Sequence, residues 1–291
     1  MDAEDTPVPR REISDARNKE SLPGTLVRSE GEAAGKDDLV NSVYDALGTT
    51  FDFFLTAYGR NSLDGEGGPL RATVHYGEKF ANVFWEDGRL VLGDGDGEII
   101  QLRPRDLLDV VAAGVIRQIP NPQLMYFGQS GALSESICDV FASLVKQYSL
   151  GQSADRADWL LGAGMLAPGL KAKALRSLAS PGTAYDAPRL GKDPQPAHMG
   201  GYFETQQDNG GVHVNSGIPN RAFHLTATAI DGNAWEKAGR IWYDAATGGK
   251  LSADATFADF AKLTAIIAED LYGTGKELDA VNNAWKSVGV R

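Results

Sequence analysis

Apolar positions change their period twice along the chain, and the changes mark out its elements. From about residue 37 to 58, Val40, Val43, Tyr44, Leu47, Phe51, Phe54 and Leu55 recur at helical spacing, which predicts one long amphipathic helix. After the turn-rich NSLDGEGGP, the segments RATVHYG and ANVFWEDGRLVLGDGDGE alternate, and Asp87-Gly88 supplies the turn of a hairpin. From Arg105 the helical period returns. Leu107, Leu108, Val111, Val115 and Ile119 line one face until Pro120 and Pro122 end the helix, and Leu133, Ile137, Val140, Phe141 and Leu144 mark the next. Beyond a Gly- and Pro-rich connection over 180–211, helices are predicted over 219–230, 232–246, 256–272 and 276–287. Residues 1–35 are polar and weakly periodic and read as irregular or poor in strand. The pattern is α+β: an N-terminal lobe over 1–120, ending in the helix at 105–119, and a helical C-terminal lobe over 121–291, with a cleft expected between them.

Charge narrows the partners. The 291 residues include 39 acidic and 28 basic ones, a net charge of −11 that disfavours phosphate backbones, so nucleic acid is not an expected partner. Cys138 is the single cysteine, which excludes an intrachain disulfide and cysteine-based zinc or redox motifs. No apolar run approaches the roughly 18 to 20 residues that span a bilayer, and MDAEDTPVPRREISD lacks the layout of a secretory signal. The chain as written is therefore expected to be cytoplasmic and away from membranes, with a removed leader or propeptide left open.

Several stretches carry a resemblance: NKESLPGTLVRSEG (18–31), NVFW (82–85), GDGDGE (93–98), GALSESICD (131–139), Arg176-Ser177 and DNGGVHVNSGIPNRAF (208–223). Together they resemble the thermolysin-like neutral metallopeptidases, the M4 family, and within it the shorter protealysin-like branch. The resemblance implies a two-lobe fold, mainly β at the N-terminus and helical at the C-terminus. It also implies a zinc site on an HExxH helix, where two histidines bind the metal and the glutamate activates water.

Laid on DVVAAGVIRQI, the two ligand positions fall on Ala113 and Arg117 and the general-base position on Gly114. Alanine has no donor atom, arginine stays protonated, and glycine accepts no proton. The four histidines, His75, His198, His213 and His224, include no i, i+4 pair. Glu135 stands at the third ligand position with Asp139 beside it, and one carboxylate does not hold a catalytic zinc. No metal and no cofactor are expected. Arg117 is expected to replace the lost positive charge by pairing with Glu135 or Asp139. The calcium sites of secreted relatives are expected to be missing, because acidic partners of Asp109 and Asp158 fall on Lys146, Leu160 and Ala163. GDGDGE reads as a tight turn, since it lacks the closing glutamate of a calcium loop.

The resemblance carries further roles to the remaining site residues. It places His213 as the donor to a developing oxyanion, Asp208 as its orienting carboxylate, Arg176 as the binder of the substrate carbonyl and Tyr126 as a second oxyanion donor. Asn82, Val83 and Trp85 lie on the strand edge that pairs with an extended peptide, and Glu135 and Arg117 complete the substrate-binding set. His75 and His224 read as ordinary strand or helix residues, and Cys138 as a buried inert thiol. The function expected from these residues is that of a pseudopeptidase. Its cleft would be repurposed for metal-independent acid/base chemistry on a carbonyl or amide compound, of the cyclase, aldol or isomerase kind, in a biosynthetic pathway. The alternative is a non-catalytic binder of peptide or protein, and residual metallopeptidase activity ranks last. The expected partner is a small-molecule or peptide-like ligand.

Overall fold

The computed structural model describes residues 6–291. Two compact units make up the chain: one ends at Gln118 and takes in Gly164–Leu170, and the other comprises Ile119–Ala163 and Lys171–Arg291.

The first unit is built on a five-stranded sheet of β1 (Arg11–Asp15), β2 (Thr25–Ser29), β3 (Leu70–Val74), β4 (Val83–Glu86) and β5 (Arg89–Leu92), in the order β2-β1-β3-β5-β4. β1, β3 and β5 run parallel, with Arg11 opposite Leu70 and Ala72 opposite Leu90, and the two outer strands pair antiparallel. Parallel strands need a long crossover, and α1 (Asp38–Tyr58) lies in the connection from β1 and β2 to β3. Its buried face carries Val43, Leu47, Phe51 and Phe54. Asp37 caps its start by accepting from the backbone N–H groups of Leu39 and Val40, and Gly59, at φ 69°, ends it in the left-handed conformation. The β4–β5 hairpin turns at Asp87-Gly88. GDGDGE is a turn in which one Asp96 oxygen accepts from the backbone of Glu98, Ile99 and Ile100.

Residues 1–35, expected to be poor in strand, contribute both β1 and β2 to this sheet. Polar side chains make those strands possible. The Tyr44 ring is clasped between the guanidinium groups of Arg11 and Arg28, at 3.8 and 3.6 Å from its centroid. Arg11 also forks onto Glu30, with contacts at 2.7 and 2.6 Å. That fork, ahead of other causes, holds the Glu30 carboxyl down at about 2.

His75, expected to be an ordinary strand residue, instead bridges two carboxylates. Nδ1 lies 2.7 Å from Asp94 and Nε2 2.9 Å from the helix cap Asp37. The Asp94 hydrogen bond, followed in the same direction by that of Asp37, raises the imidazole to about 9 against the cost of burial. A raised histidine contributes stability that is complete below its unfolded value near 6.5 and is lost as pH climbs through about 9. Both carboxylates are some 40% exposed, so solvent screens the pair. His75→Gln is therefore expected to cost roughly 1 to 2 kcal/mol at pH 6 and almost nothing at pH 10. Urea unfolding of both proteins across that range checks it, and a gap that does not change with pH contradicts it.

α2 (Leu108–Ile116) is shorter than the apolar stripe that predicts it, and a short 3-10 turn at Pro104–Asp106 precedes it. Gly114 is where α2 meets the sheet: a Cβ there would lie 2.3 Å from Leu90 Cδ1, and Leu90 is fully buried. Any side chain at 114 has to displace Leu90.

The second unit is helical: α3 (Gly128–Leu150), α4 (Asp208–Asn215), α5 (Gly217–Ile230), α6 (Ala238–Thr247), α7 (Phe257–Tyr272) and α8 (Lys276–Ser287). α3 is buried on nearly every face from Ser130 to Val145. α6 starts later than the 232–246 pattern suggests. Two short ribbons, β6 (Leu160–Leu161) with β7 (Arg176–Ser177) and β8 (Asp186–Ala187) with β9 (Gly191–Lys192), punctuate the connections. Lys146 on α3 donates to both oxygens of Asp158, at 3.1 and 2.9 Å. No helix among the described residues is long and apolar enough to cross a membrane.

Candidate functional site

Within the second unit, α3 places Glu135 and Asp139 one turn apart with only 4% and 1% of their surface exposed. Carboxylates so deeply withdrawn from water need charge or hydrogen-bond partners. Asp139 receives the Arg176 guanidinium side-on, with Nε donating at 2.8 Å to one oxygen and Nη2 at 2.7 Å to the other. The Asn220 amide of α5 donates a third bond at 2.9 Å. Burial opposes the charge on Arg176, but the Asp139 carboxylate overrides that cost and raises its pKa. Arg176, carried over as the binder of a substrate carbonyl, thus has its Nε and Nη2 committed to a buried carboxylate.

Glu135 has different partners. The Tyr126 hydroxyl donates to its Oε1 at 2.5 Å, and His213 Nε2 lies 3.6 Å from Oε2 and 3.3 Å from the Tyr126 oxygen. Gly131 permits this approach, because a Cβ on α3 at that position would stand 2.5 Å from Val212 Cγ1 and 3.0 Å from the Tyr126 carbonyl carbon.

His213 is aimed by an unusual piece of backbone. Asp208, Asn209, Gly210 and Gly211 all take left-handed conformations, at φ 51°, 49°, 83° and 74°. Asp, Asn and Gly are the residues that tolerate that region. The turn brings one Asp208 oxygen 2.9 Å from the His213 backbone N–H and the other 2.6 Å from Nδ1. With Nδ1 turned to Asp208, Nε2 faces Tyr126 and Glu135. The His213 side chain is half exposed, so a ligand reaches it from solvent.

His213, Asp208, Tyr126 and Glu135 therefore form one cluster, with Arg176 on the neighbouring carboxylate. Asn82, Val83, Trp85 and Arg117 belong to the first unit. There Val83 and Trp85 lie on β4, an end strand of the sheet, Asn82 accepts from the Val83 N–H at 2.8 Å, and Arg117 ends α2. His224 sits edge-on to Trp159, and burial, then the neighbouring Arg221, lowers it to about 4. Two contributors were not singled out from the sequence. Asn220 fixes Asp139, and Gln195 donates to the His213 carbonyl and to Ser216 Oγ at 2.8 and 3.0 Å. Asn220 stands inside the most specific matching word, whereas Gln195 lies in the irregular connection, where no pattern marks it.

Among the described residues, no group of three or more His, Cys, Asp or Glu is placed to hold a metal ion.

Comparison with known proteins bears directly on these expectations. Residues 2–113 match the thermolysin metallopeptidase catalytic domain and residues 122–290 the thermolysin metallopeptidase alpha-helical domain. The chain is 51% identical over 282 residues to the Extracellular metalloprotease of Pectobacterium carotovorum, covering 96% of this chain and 81% of that protein. It is 47% identical over 287 residues to Protease PrtS of Photorhabdus, covering 97% and 76%. The solved Precursor of Protealysin, a metalloproteinase from Serratia proteamaculans, superposes with a TM-score of 0.94 at 52% identity, covering 97% of this chain and 88% of that one.

These relatives overturn the expectation of a pseudopeptidase with a cleft given over to biosynthetic small-molecule chemistry, and with it the non-catalytic alternative. A zinc-free protein conflicts with the same names, and a cytoplasmic one with the name of the Pectobacterium relative. The physical reason is one of scope. Ala113, Gly114 and Arg117 speak for three positions, whereas identity with named metalloproteases runs through about half of all positions in nearly the whole chain. Matched along almost its entire length by both thermolysin domain models, the chain belongs to the thermolysin metallopeptidase family.

Proposed function

We propose that this chain hydrolyses peptide bonds in polypeptide substrates outside the cell. The observation that carries the reading is its 51% identity, over 96% of its length, to a protein named an extracellular metalloprotease. The finer part of the proposal is that this member lacks the HExxH pair, which rests on the four histidines and their spacing. The second unit supports a carbonyl-directed reaction. As water adds to a peptide carbonyl, its oxygen gains negative charge, and His213 Nε2 is a donor able to meet it, joined by the adjacent Tyr126 hydroxyl once that turns from Glu135. Asp208 keeps His213 turned that way. β4, with Asn82, Val83 and Trp85, is an end strand of a kind that pairs with extended peptide backbone.

Casein digestion followed by mass spectrometry tests the proposal. Wild type is expected to release peptides, and His213→Ala to do so about 100-fold more slowly, the usual loss for one oxyanion donor. Wild type that yields nothing above a heat-inactivated control overturns the reading.

A further inference from the structure

A concavity of about 590 Å³ opens between α7 and α8, away from the His213 cluster in sequence and sharing none of its residues. Its wall is apolar. Ala261 and Ala265 stand one turn apart on α7 and, with Ala258 and Ile266, face the groove above Trp285 and Val290, which are buried. The Trp285 indole N–H is already bonded to Thr264 Oγ1 at 3.0 Å, so no indole donor remains to bind a ligand. Its rim is cationic. Lys262, Lys286 and Arg291 border it, in a protein whose net charge is −11, and Lys262 also acts on Asp259 three residues before it. Such a volume suits a small ligand.

We propose that this groove binds a small amphipathic carboxylate, its hydrocarbon body against Ala258, Ala261, Ala265 and Ile266 and its head group between Lys262 and Lys286. A symmetric second copy fits poorly, because an isologous contact sets the same three cations against themselves. A broad protein interface fits poorly too, since Ile266 is the one exposed large hydrophobic residue lining the groove.

Titration calorimetry of the full chain with sodium dodecanoate, below its micelle concentration, tests the proposal, with 1-dodecanol as the neutral probe. One saturable site is expected, at least tenfold weaker for dodecanol and for Lys262→Glu/Lys286→Glu, and lost when Ala261→Trp fills the groove. Absence of saturable binding, or equal affinity for dodecanoate in wild type and both variants, overturns it. Sedimentation of the same samples covers the remaining occupant: a dimer that the double charge reversal dissociates assigns the groove to a second copy and also overturns the proposal.

Discussion

Arg176→Met is expected to destabilise the protein by about 3 to 5 kcal/mol, the cost of removing one partner from a buried ion pair. Asp139 is 1% exposed, and without the guanidinium it keeps, of the contacts described above, the single Asn220 hydrogen bond. The pair itself contributes far less than its rupture costs, because both ions were already taken from water. The double variant Arg176→Met/Asp139→Asn leaves neither member of the pair charged and is expected to recover much of the loss, with Glu135 still buried beside it. Chemical denaturation of wild type, both single variants and the double variant forms a complete cycle. A single variant within 1 kcal/mol of wild type, or a double variant no better than Arg176→Met, would show that Asp139 is not held by Arg176 in solution.

The same pair shows where sequence reading stops. Glu135 and Asp139 announce themselves by their spacing on an apolar stripe, and Arg176 by its place in a matching word, but what pairs with what is a property of packing. The resemblance gives Arg176 to substrate, and the structure adds that its Nε and Nη2 lie on Asp139. Without the resemblance, which pairs Asp208 with His213, the residues themselves show only two positions five apart. The left-handed run that turns one onto the other is visible in DNGG after the fact, since those residue types tolerate but do not dictate positive φ.

Long elements were legible because burial on one face repeats every turn. α1, α3, α7 and α8 follow their apolar stripes closely. β1 and β2 were not, since five-residue strands give too few alternations and β2 lies at the sheet edge, where Leu26 and Val27 remain exposed. What fixes them is the clasp of Arg11, Arg28, Glu30 and Tyr44, charged residues that look like loop composition when read singly. Function was the least legible level. Three disqualified positions pointed away from peptidases, and only identity spread along the whole chain restored that reading.

Trp242→Ala is expected to cost about 3 to 5 kcal/mol, as for other buried tryptophan truncations. Trp242 is 1% exposed and holds three helices to α6 through its ring: Phe223 of α5 and Phe260 of α7 meet it edge-on at 5.1 and 6.0 Å, and Trp285 of α8 stacks parallel at 6.0 Å. Helices so joined cannot close the vacancy independently, because a shift that improves one contact opens another, which places the expected loss toward the upper part of that range. Trp242→Phe keeps an aromatic surface and is expected to lose less than half as much. Because Trp285 lies beneath the α7–α8 groove, its ring loses support in Trp242→Ala, and dodecanoate binding is expected to weaken there although no groove residue has changed. Denaturation reads the first effect and calorimetry the second. A loss under 1 kcal/mol would mean that the four-ring cluster does not carry the helical unit.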